Sequence, residues 1–311
     1  MYAGTATASV AAAAVMGAGT LLMPNPGTPA GDTPVTRPPA QVAPMRQATD
    51  AAARGPRVYA HRGASAYAPE NTLVAVDRAD RMGFDWVEND VQLTRDGVLV
   101  VMHDTDLKRT TNAEEVFPDR APWAVRDFTL DEISRLDAGG WFDRRYTGTR
   151  VPTLRQYLRR LTHNRQNLLL EIKSPELYPG IERATLRVLN EEGWLDRAHV
   201  RDRLVVQSFG ADSVRTVHAL RPDVVTGFLG NPAVAELPAY AKFADQINPS
   251  RTKLSGDYVS AVHALKGPHG KPLRVNTWTV NDAAAAVEAA GTGVDGIISN
   301  APDVVREATG G

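Results

Sequence analysis

The 311-residue chain contains no cysteine. This absence excludes disulfide bonds, thiolate metal sites, cysteine nucleophiles and lipid attachment through an N-terminal cysteine. Any bound metal must therefore be held by oxygen atoms or imidazole. The chain also lacks an excess of either charge, because 35 Lys and Arg against 36 Asp and Glu give a formal net charge of −1. Such a chain has no broad attraction for nucleic acid or for an anionic membrane surface, so any phosphate must be recognised locally.

A long, strongly apolar run that would predict a stable membrane span is also lacking. Residues 6–23 are small and apolar and have the length of the core of a secretory signal, although no Lys or Arg precedes them. A stretch rich in Pro, Gly, Thr and Ala follows to about Ala53. We expect residues 1–54 to be a signal-like segment and a disordered linker, and the protein to be secreted or extracytoplasmic. The alternative is a disordered tail with no targeting role.

From Arg57 onward, short β-branched runs alternate with helical patterns, which is typical of repeated βα units. With 43% hydrophobic residues, the chain can bury one large core. We predict a (β/α)₈ TIM barrel over residues 55–311. Strands are predicted near residues 58–60, 86–93, 98–102, 168–172, 204–207, 224–228, 274–278 and 296–298, with a weaker candidate at 246–248. Helices are predicted near residues 72–82, 181–190, 211–220, 258–265 and 283–290.

Two features depart from a plain βα repeat. The Asp96-Gly97 pair between two alternating runs predicts a tight hairpin. Residues 105–162 contain several prolines and glycines and one amphipathic helix near residues 154–161. This stretch is too long for an ordinary loop, so we interpret it as a short insertion over the C-terminal mouth of the barrel.

Two histidines follow predicted strands. His61 and Arg62 come directly after the first strand, and a helix opens soon afterwards at Thr72. A basic side chain beside a helix start at the carboxyl end of a barrel strand suits an anionic ligand. His103 ends the strand after the hairpin, so we expect it to face the same crevice. Displacement at phosphorus needs a base and an acid, and histidine, with an unperturbed pKa of about 6.5, suits both roles.

Acidic side chains occur at i and i+2 on two strands. Glu88 and Asp90 share one face of the second strand, and Glu171 and Lys173 end a strongly apolar run. Crowded carboxylates repel each other unless a cation compensates, which indicates a site for Mg²⁺ or Ca²⁺. Lys173 would then neutralise a phosphate oxygen. The alternatives are a solvated strand face for Glu88 and Asp90, and a purely structural Glu171–Lys173 ion pair.

Two later strands close on side chains that suit a ligand. Gln207 can hydrogen-bond a substrate, and Trp278 can offer an apolar face to a carbon skeleton. Packing roles explain both residues equally well, so they only support the other motifs.

The motifs together resemble the glycerophosphodiester phosphodiesterase family, within the phospholipase C-like barrel superfamily. The resemblance spans about Val58 to the C-terminus. It is carried by His61-Arg-Gly through Pro69-Glu-Asn-Thr72, Glu88-x-Asp90-Val, Thr94-x-Asp96-Gly, His103-Asp104, Glu171-Ile-Lys173, Gln207-Ser-Phe and Trp278-Thr-Val. The chain departs from the family near its end, where Ser299-Asn300 stands in place of a frequent Thr-Asp pair.

The resemblance implies a TIM barrel that hydrolyses a small glycerophosphodiester to sn-glycerol 3-phosphate and an alcohol, with a divalent cation, Mg²⁺ or Ca²⁺. It also implies roles for individual residues. The implied acid–base pair is His61 and His103, and the implied metal ligands are Glu88, Asp90 and Glu171. The implied phosphate ligands are Arg62 and Lys173, and Trp278 is an implied wall of the glycerol pocket.

Two other functions remain open at the level of sequence. A lipid-directed phosphodiesterase, phospholipase D-like or phospholipase C-like, would use the same barrel and expose an apolar loop at its mouth. Trp141 and Phe142 lie in the inserted segment, but Arg144 and Arg145 beside them favour a packed cap. A non-catalytic binding protein would have lost an acid, a base or a metal ligand, and none is missing from the motifs.

Overall fold

The computed structural model describes residues 55–310, so the expected signal-like segment and linker at residues 1–54 lie outside the described residues. Nine strands form one sheet. They are β1 (Arg57–Ala60), β2 (Trp86–Leu93), β3 (Leu99–Val101), β4 (Asn167–Ile172), β5 (Leu204–Ser208), β6 (Val225–Leu229), β7 (Gln246–Asn248), β8 (Arg274–Thr277) and β9 (Gly296–Ser299).

The sheet closes into a parallel barrel. Its order is β1-β9-β8-β7-β6-β5-β4-β2-β3, and β1 also pairs with β2, which joins the two ends. β3 alone is antiparallel, pairing with β2 outside the closed ring. The remaining eight strands make a TIM barrel, as predicted, and the weak candidate at residues 246–248 is one of them.

Helices cover the outside of the barrel. They are α1 (Leu73–Arg81), α2 (Ala113–Val116), α3 (Leu130–Ser134), α4 (Leu154–Asn164), α5 (Ile181–Glu191), α6 (Arg197–Asp202), α7 (Ala211–Leu220), α8 (Leu237–Tyr240), α9 (Gly256–His263), α10 (Ala283–Gly291) and α11 (Pro302–Thr309). The predicted helices agree with these bounds to within about three residues, whereas α2, α3, α6, α8 and α11 are not among the predicted helices. Within residues 55–310, none of the helices has both the length and the apolar character needed to cross a bilayer.

The inserted segment has a core of its own. Phe128, Ile133 and Leu136 are fully buried in a cluster that includes residues of and beside β3. Asp137 fixes the following loop by accepting hydrogen bonds from the backbone N–H groups of Gly139 and of two further glycines. Helix α4 packs instead against α1 and α5 in the outer layer. The stretch 105–162 therefore divides into a packed cap and a helix of the barrel.

Two turns bring the chain back to the mouth of the barrel. After β1, Arg62 (φ 56°) and Gly63 (φ 82°) adopt left-handed conformations. A Cβ atom on Gly63 would lie 2.6 Å from the backbone of Ala75, so only glycine fits this turn. After β2, the Thr94 hydroxyl donates to the Asp96 carboxylate at 2.6 Å and accepts from Val98 N–H at 2.9 Å. This confirms the hairpin that leads into β3.

Candidate active site

A cavity of about 120 Å³ opens at the carboxyl end of the barrel strands. Except for Asp90, all the site residues predicted from the sequence line it: His61, Arg62, Glu88, His103, Glu171, Lys173, Gln207 and Trp278. Asp90 lies next to this lining, because one oxygen each of Glu88, Asp90 and Glu171 lie within 4.8 Å of one another. The structure thus brings the whole predicted set together.

His61 is oriented by a neutral side chain, that of Asn300 near the C-terminal end of the sequence. Its Nδ1 lies 2.5 Å from Asn300 Oδ1, which also accepts a hydrogen bond from the Ser65 hydroxyl at 3.0 Å. An amide oxygen as acceptor requires the ring proton on Nδ1, so Nε2 carries no proton in the neutral ring. Nε2 lies 3.9 Å from Glu88 Oε2. Burial, reinforced by the positive charge of Arg62, lowers the pKa of His61 to about 4. His61 is therefore a neutral imidazole at pH 7.

His103 reaches the same cavity by a different route from the one expected. The prediction places it at the same end of an adjacent strand, but β3 runs antiparallel to β2, outside the closed ring, and carries His103 back to the cavity. The side-chain amide of Gln92 fixes this return by donating to the carbonyl oxygens of Met102 at 2.9 Å and Asp104 at 2.6 Å. His103 Nδ1 then contacts the Asp104 carboxylate at 2.7 Å.

The three carboxylates form a buried cluster. Glu88, Asp90 and Glu171 expose 1%, 0% and 6% of their surface, so the solvated strand face considered for Glu88 and Asp90 is wrong. Burial, and then the neighbouring Asp90 charge, raise the pKa of Glu88 well above its usual value. The same two causes raise the pKa of Glu171 to about 8, although Lys173 opposes the change. Although burial favours the neutral form of Asp90, Arg62 lowers its pKa to about 2.

This cluster fits a divalent cation. Asp90 Oδ1 is buried and has no hydrogen-bond partner among residues 55–310, and buried polar atoms are rarely left without one. The raised pKa values of Glu88 and Glu171 mean that the surrounding side chains do not compensate the charge of both carboxyls when they ionise. Oxygen-only donor sets of this kind suit a hard cation.

Two basic side chains border the carboxylates. Lys173 Nζ lies 2.9 Å from Glu171 Oε1 and 3.9 Å from Asp90 Oδ1. Arg62 Nε lies 3.3 Å from Asp90 Oδ2, and its backbone N–H donates to Glu88 Oε2 at 2.9 Å. The contact considered for Glu171 and Lys173 is therefore present, and it lies in the wall of the cavity.

An aromatic and amide wall lies across the barrel mouth. The ring of Trp278 packs edge-to-face with Phe209 at 5.3 Å, and its indole N–H donates to the Asn248 carbonyl at 2.9 Å. Phe209 is 47% exposed, and its ring lies 5.4 Å from Lys173 Nζ. Gln207 Oε1 accepts from Asn248 Nδ2 at 2.9 Å. Phe209 and Asn248 are thus additions to the predicted set.

Comparison with known proteins accounts for this arrangement. The model of the glycerophosphoryl diester phosphodiesterase family matches residues 61–304. The chain belongs to this family. The resemblance inferred from the sequence motifs is therefore confirmed.

Similar glycerophosphodiester phosphodiesterases include one from Bacillus subtilis, 34% identical over 265 residues that cover 80% of this chain and 84% of the relative. Another, from Caldanaerobacter subterraneus subsp. tengcongensis, is 34% identical over 250 residues covering 80% and 95%. Among solved structures, an Oleispira antarctica phosphodiesterase in complex with the product sn-glycerol-3-phosphate has a TM-score of 0.70 at 28% identity, covering 84% of this chain and 99% of the other. The chain is accordingly a glycerophosphodiester phosphodiesterase.

Sequence reasoning does not single out the polar side chains that support the cavity of this phosphodiesterase. Asn71 donates to Asp90 Oδ2 at 2.8 Å, and Glu70 accepts from Arg62 at 2.8 Å. Arg109, from the cap, contacts both Glu70 and Asp104. Asp104 could have been found from the sequence because it directly follows His103. Glu70 and Asn71 could have been found because they belong to the Pro69-Glu-Asn-Thr72 motif. Arg109 has no such signal.

Proposed function

We propose that this phosphodiesterase hydrolyses glycerophosphodiesters to sn-glycerol 3-phosphate and an alcohol, using a divalent cation and a pair of histidines. The observation that carries the proposal is that His61 and His103 line one cavity together with a cluster of buried carboxylates. The product bound in the Oleispira antarctica relative supports the choice of sn-glycerol 3-phosphate.

Glu88, Asp90 and Glu171 are the residues that would hold the cation. Mg²⁺ and Ca²⁺ both accept carboxylate oxygens, so the donor set is compatible with either. When bound, the cation supplies positive charge that polarises a phosphoryl oxygen. The chain itself supplies further positive charge, since Arg62 and Lys173 border the same carboxylates and can contact the remaining phosphate oxygens.

The different partners of the two histidines favour different roles. His61 contacts a neutral amide oxygen, and burial keeps the ring neutral with Nε2 free to accept a proton. His103 Nδ1 contacts the Asp104 carboxylate, an acceptor that holds the proton of this nitrogen and leaves Nε2 to exchange a proton with the substrate. We therefore assign His61 to activation of the attacking oxygen and His103 to protonation of the departing alcohol.

The wall opposite the carboxylates supports an orientation for the glycerol moiety. Trp278 and Phe209 offer apolar surface, while Gln207 offers a side-chain amide within a buried polar network. Glycerol presents carbon atoms and hydroxyl groups, so this combination of surfaces matches its chemistry.

The direct test is to identify the products formed from glycerophosphocholine by the purified protein. We expect sn-glycerol 3-phosphate and choline, because the proposed chemistry leaves the phosphate on glycerol. Phosphocholine and glycerol would show cleavage of the other ester bond and would contradict the proposal.

Lysophosphatidylcholine, which has the same head group, tests the lipid-directed alternative. A faster rate on this lipid than on the water-soluble diester would overturn our assignment of the substrate.

Substitution of His103 tests its assigned role. His103→Ala should lower kcat by about 10²–10⁴-fold, the range for removal of a general acid or base. His163→Ala, which alters an exposed histidine of α4, is the matched control and should leave kcat unchanged. Near-normal turnover by the His103 variant would refute the acid–base pair.

A further inference from the structure

One arginine of the cap bridges two carboxylates from different segments of the chain. Arg109 Nε and Nη2 donate to Asp104 Oδ2 at 2.6 Å and Oδ1 at 3.1 Å. The same guanidinium donates through Nη1 and Nη2 to Glu70 Oε2 and Oε1, both at 2.8 Å. Both carboxylates are thus held by two hydrogen bonds each, the geometry that makes arginine–carboxylate pairs rigid.

Each of these carboxylates contacts a residue that lines the cavity. Asp104 contacts His103 Nδ1 at 2.7 Å, and Glu70 accepts a hydrogen bond from Arg62 Nη1 at 2.8 Å. An unbroken chain of contacts therefore runs from His103 through Asp104, Arg109 and Glu70 to Arg62. Among the described residues, the lining of the cavity does not include Arg109, whose side chain is 45% exposed.

We propose that Arg109 is a positioning residue of this phosphodiesterase, which sets His103 through Asp104 and Arg62 through Glu70. The proposal rests on the proposed roles of His103 and Arg62. Arg109 does not line the cavity, and its hydrogen bonds toward the site run through its two carboxylate partners.

The two branches of this chain should affect different kinetic constants. Asp104 fixes which ring nitrogen of His103 carries the proton and how the ring is oriented. Loosening Asp104 should therefore lower the rate of the chemical step. Glu70 holds one edge of the Arg62 guanidinium, so loosening Glu70 weakens phosphate binding. Lysine in place of Arg109 keeps the charge but cannot form two paired contacts at once, so it should restore only part of the function.

A double-mutant cycle separates this role from a structural one. Arg109→Met should lower kcat on glycerophosphocholine by about ten- to a hundredfold and raise KM. In a protein that already carries His103→Ala, Arg109→Met should leave kcat almost unchanged but still raise KM. An equal fold-loss of kcat in both backgrounds would mean that Arg109 does not act through His103, and the proposal would fail.

The controls distinguish failure of this proposal from failure of the proposed function. If His103→Ala alone retained near-normal kcat, the assigned role of His103 would be wrong, and the cycle would overturn both. Arg159→Met removes an arginine that also holds one carboxylate, Glu192, with two hydrogen bonds but lies on α4. This variant should keep kcat and KM unchanged. Thermal unfolding of each variant and the partial activity of Arg109→Lys verify that a loss of activity does not come from misfolding. Full activity of Arg109→Lys would contradict the need for paired contacts.

Discussion

Replacing Glu171 by Gln should stabilise the metal-free protein at neutral pH. Glu171 is buried beside Asp90, and these causes raise its pKa to about 8, so it is mostly neutral in the folded protein at pH 7. In the unfolded chain its pKa returns to about 4.5, and ionisation then favours unfolding. The gap of about 2.5 pH units to pH 7, at about 1.4 kcal/mol per unit, makes the expected gain for Glu171→Gln about 3 kcal/mol.

The pH dependence of this gain follows from the direction of the pKa change. A carboxyl whose pKa is raised by folding lowers the free energy of unfolding as pH rises from the unfolded value, about 4.5, to the folded value, about 8. The advantage of Glu171→Gln should therefore be near zero below pH 4 and grow up to about pH 8. A cation that binds only the folded state stabilises it, and the effect is larger the more tightly the cation binds. Added Mg²⁺ or Ca²⁺ should therefore stabilise the unmodified protein more than Glu171→Gln and narrow the difference in their free energies of unfolding.

Urea unfolding in the presence of a chelator, at pH 4 and at pH 7, measures this gain. Glu176→Gln is the matched control, since Glu176 is an exposed residue shortly after the same strand and should change stability by less than about 0.5 kcal/mol. If Glu171→Gln is no more stable than the unmodified protein at pH 7, or if its advantage is the same at both pH values, the carboxylate cluster is not under the electrostatic strain inferred here.

Two further predictions concern stability. The backbone N–H of Thr129 and the guanidinium of Arg120 lower the pKa of Glu132 to about 2. The carboxylate therefore stabilises the folded protein above about pH 4.5, and this stabilisation is lost as pH falls toward 2. Glu132→Gln should lower the free energy of unfolding by about 1 kcal/mol at pH 7, a small value because solvent screens the interaction, and should not change it at pH 2. A loss of stability that is the same at both pH values in urea titrations would contradict this. Leu158 is fully buried on α4, so Leu158→Ala should lower the free energy of unfolding by about 2–5 kcal/mol and leave kcat unchanged. A loss of activity without a loss of stability would contradict this and show that α4 shapes the site.

The sequence predicts most of the barrel because its strands are apolar on the faces that pack against helices. Leu168 and Leu170 on β4 are fully buried, and such runs are easily recognised. β7 gives a weak signal because it has only three residues, and two of them, Gln246 and Asn248, are polar. Both are nevertheless buried, since their amides bond to neighbouring strands inside the barrel. A polar barrel interior is therefore what conceals this strand in the sequence.

The candidate site divides in a similar way. The residues lining the cavity are predictable because they lie within strands or directly after them in short motifs. Closure of a barrel brings the carboxyl ends of its strands together. Their supporting contacts join distant parts of the chain. Asn300 contacts His61 across 239 positions, and Arg109 contacts Glu70 across 39. No local pattern encodes such pairs, since they depend on how the barrel closes and on where the cap packs.

The most direct test of the account is the release of sn-glycerol 3-phosphate from glycerophosphocholine with a chelator and after a divalent cation is restored, comparing the unmodified protein with Asp90→Asn. We predict that the chelator abolishes release, that Mg²⁺ or Ca²⁺ restores it in the unmodified protein, and that Asp90→Asn needs a much higher cation concentration. Release that continues unchanged in chelator, or that recovers at the same cation concentration in both proteins, would contradict a cation held by the buried carboxylates.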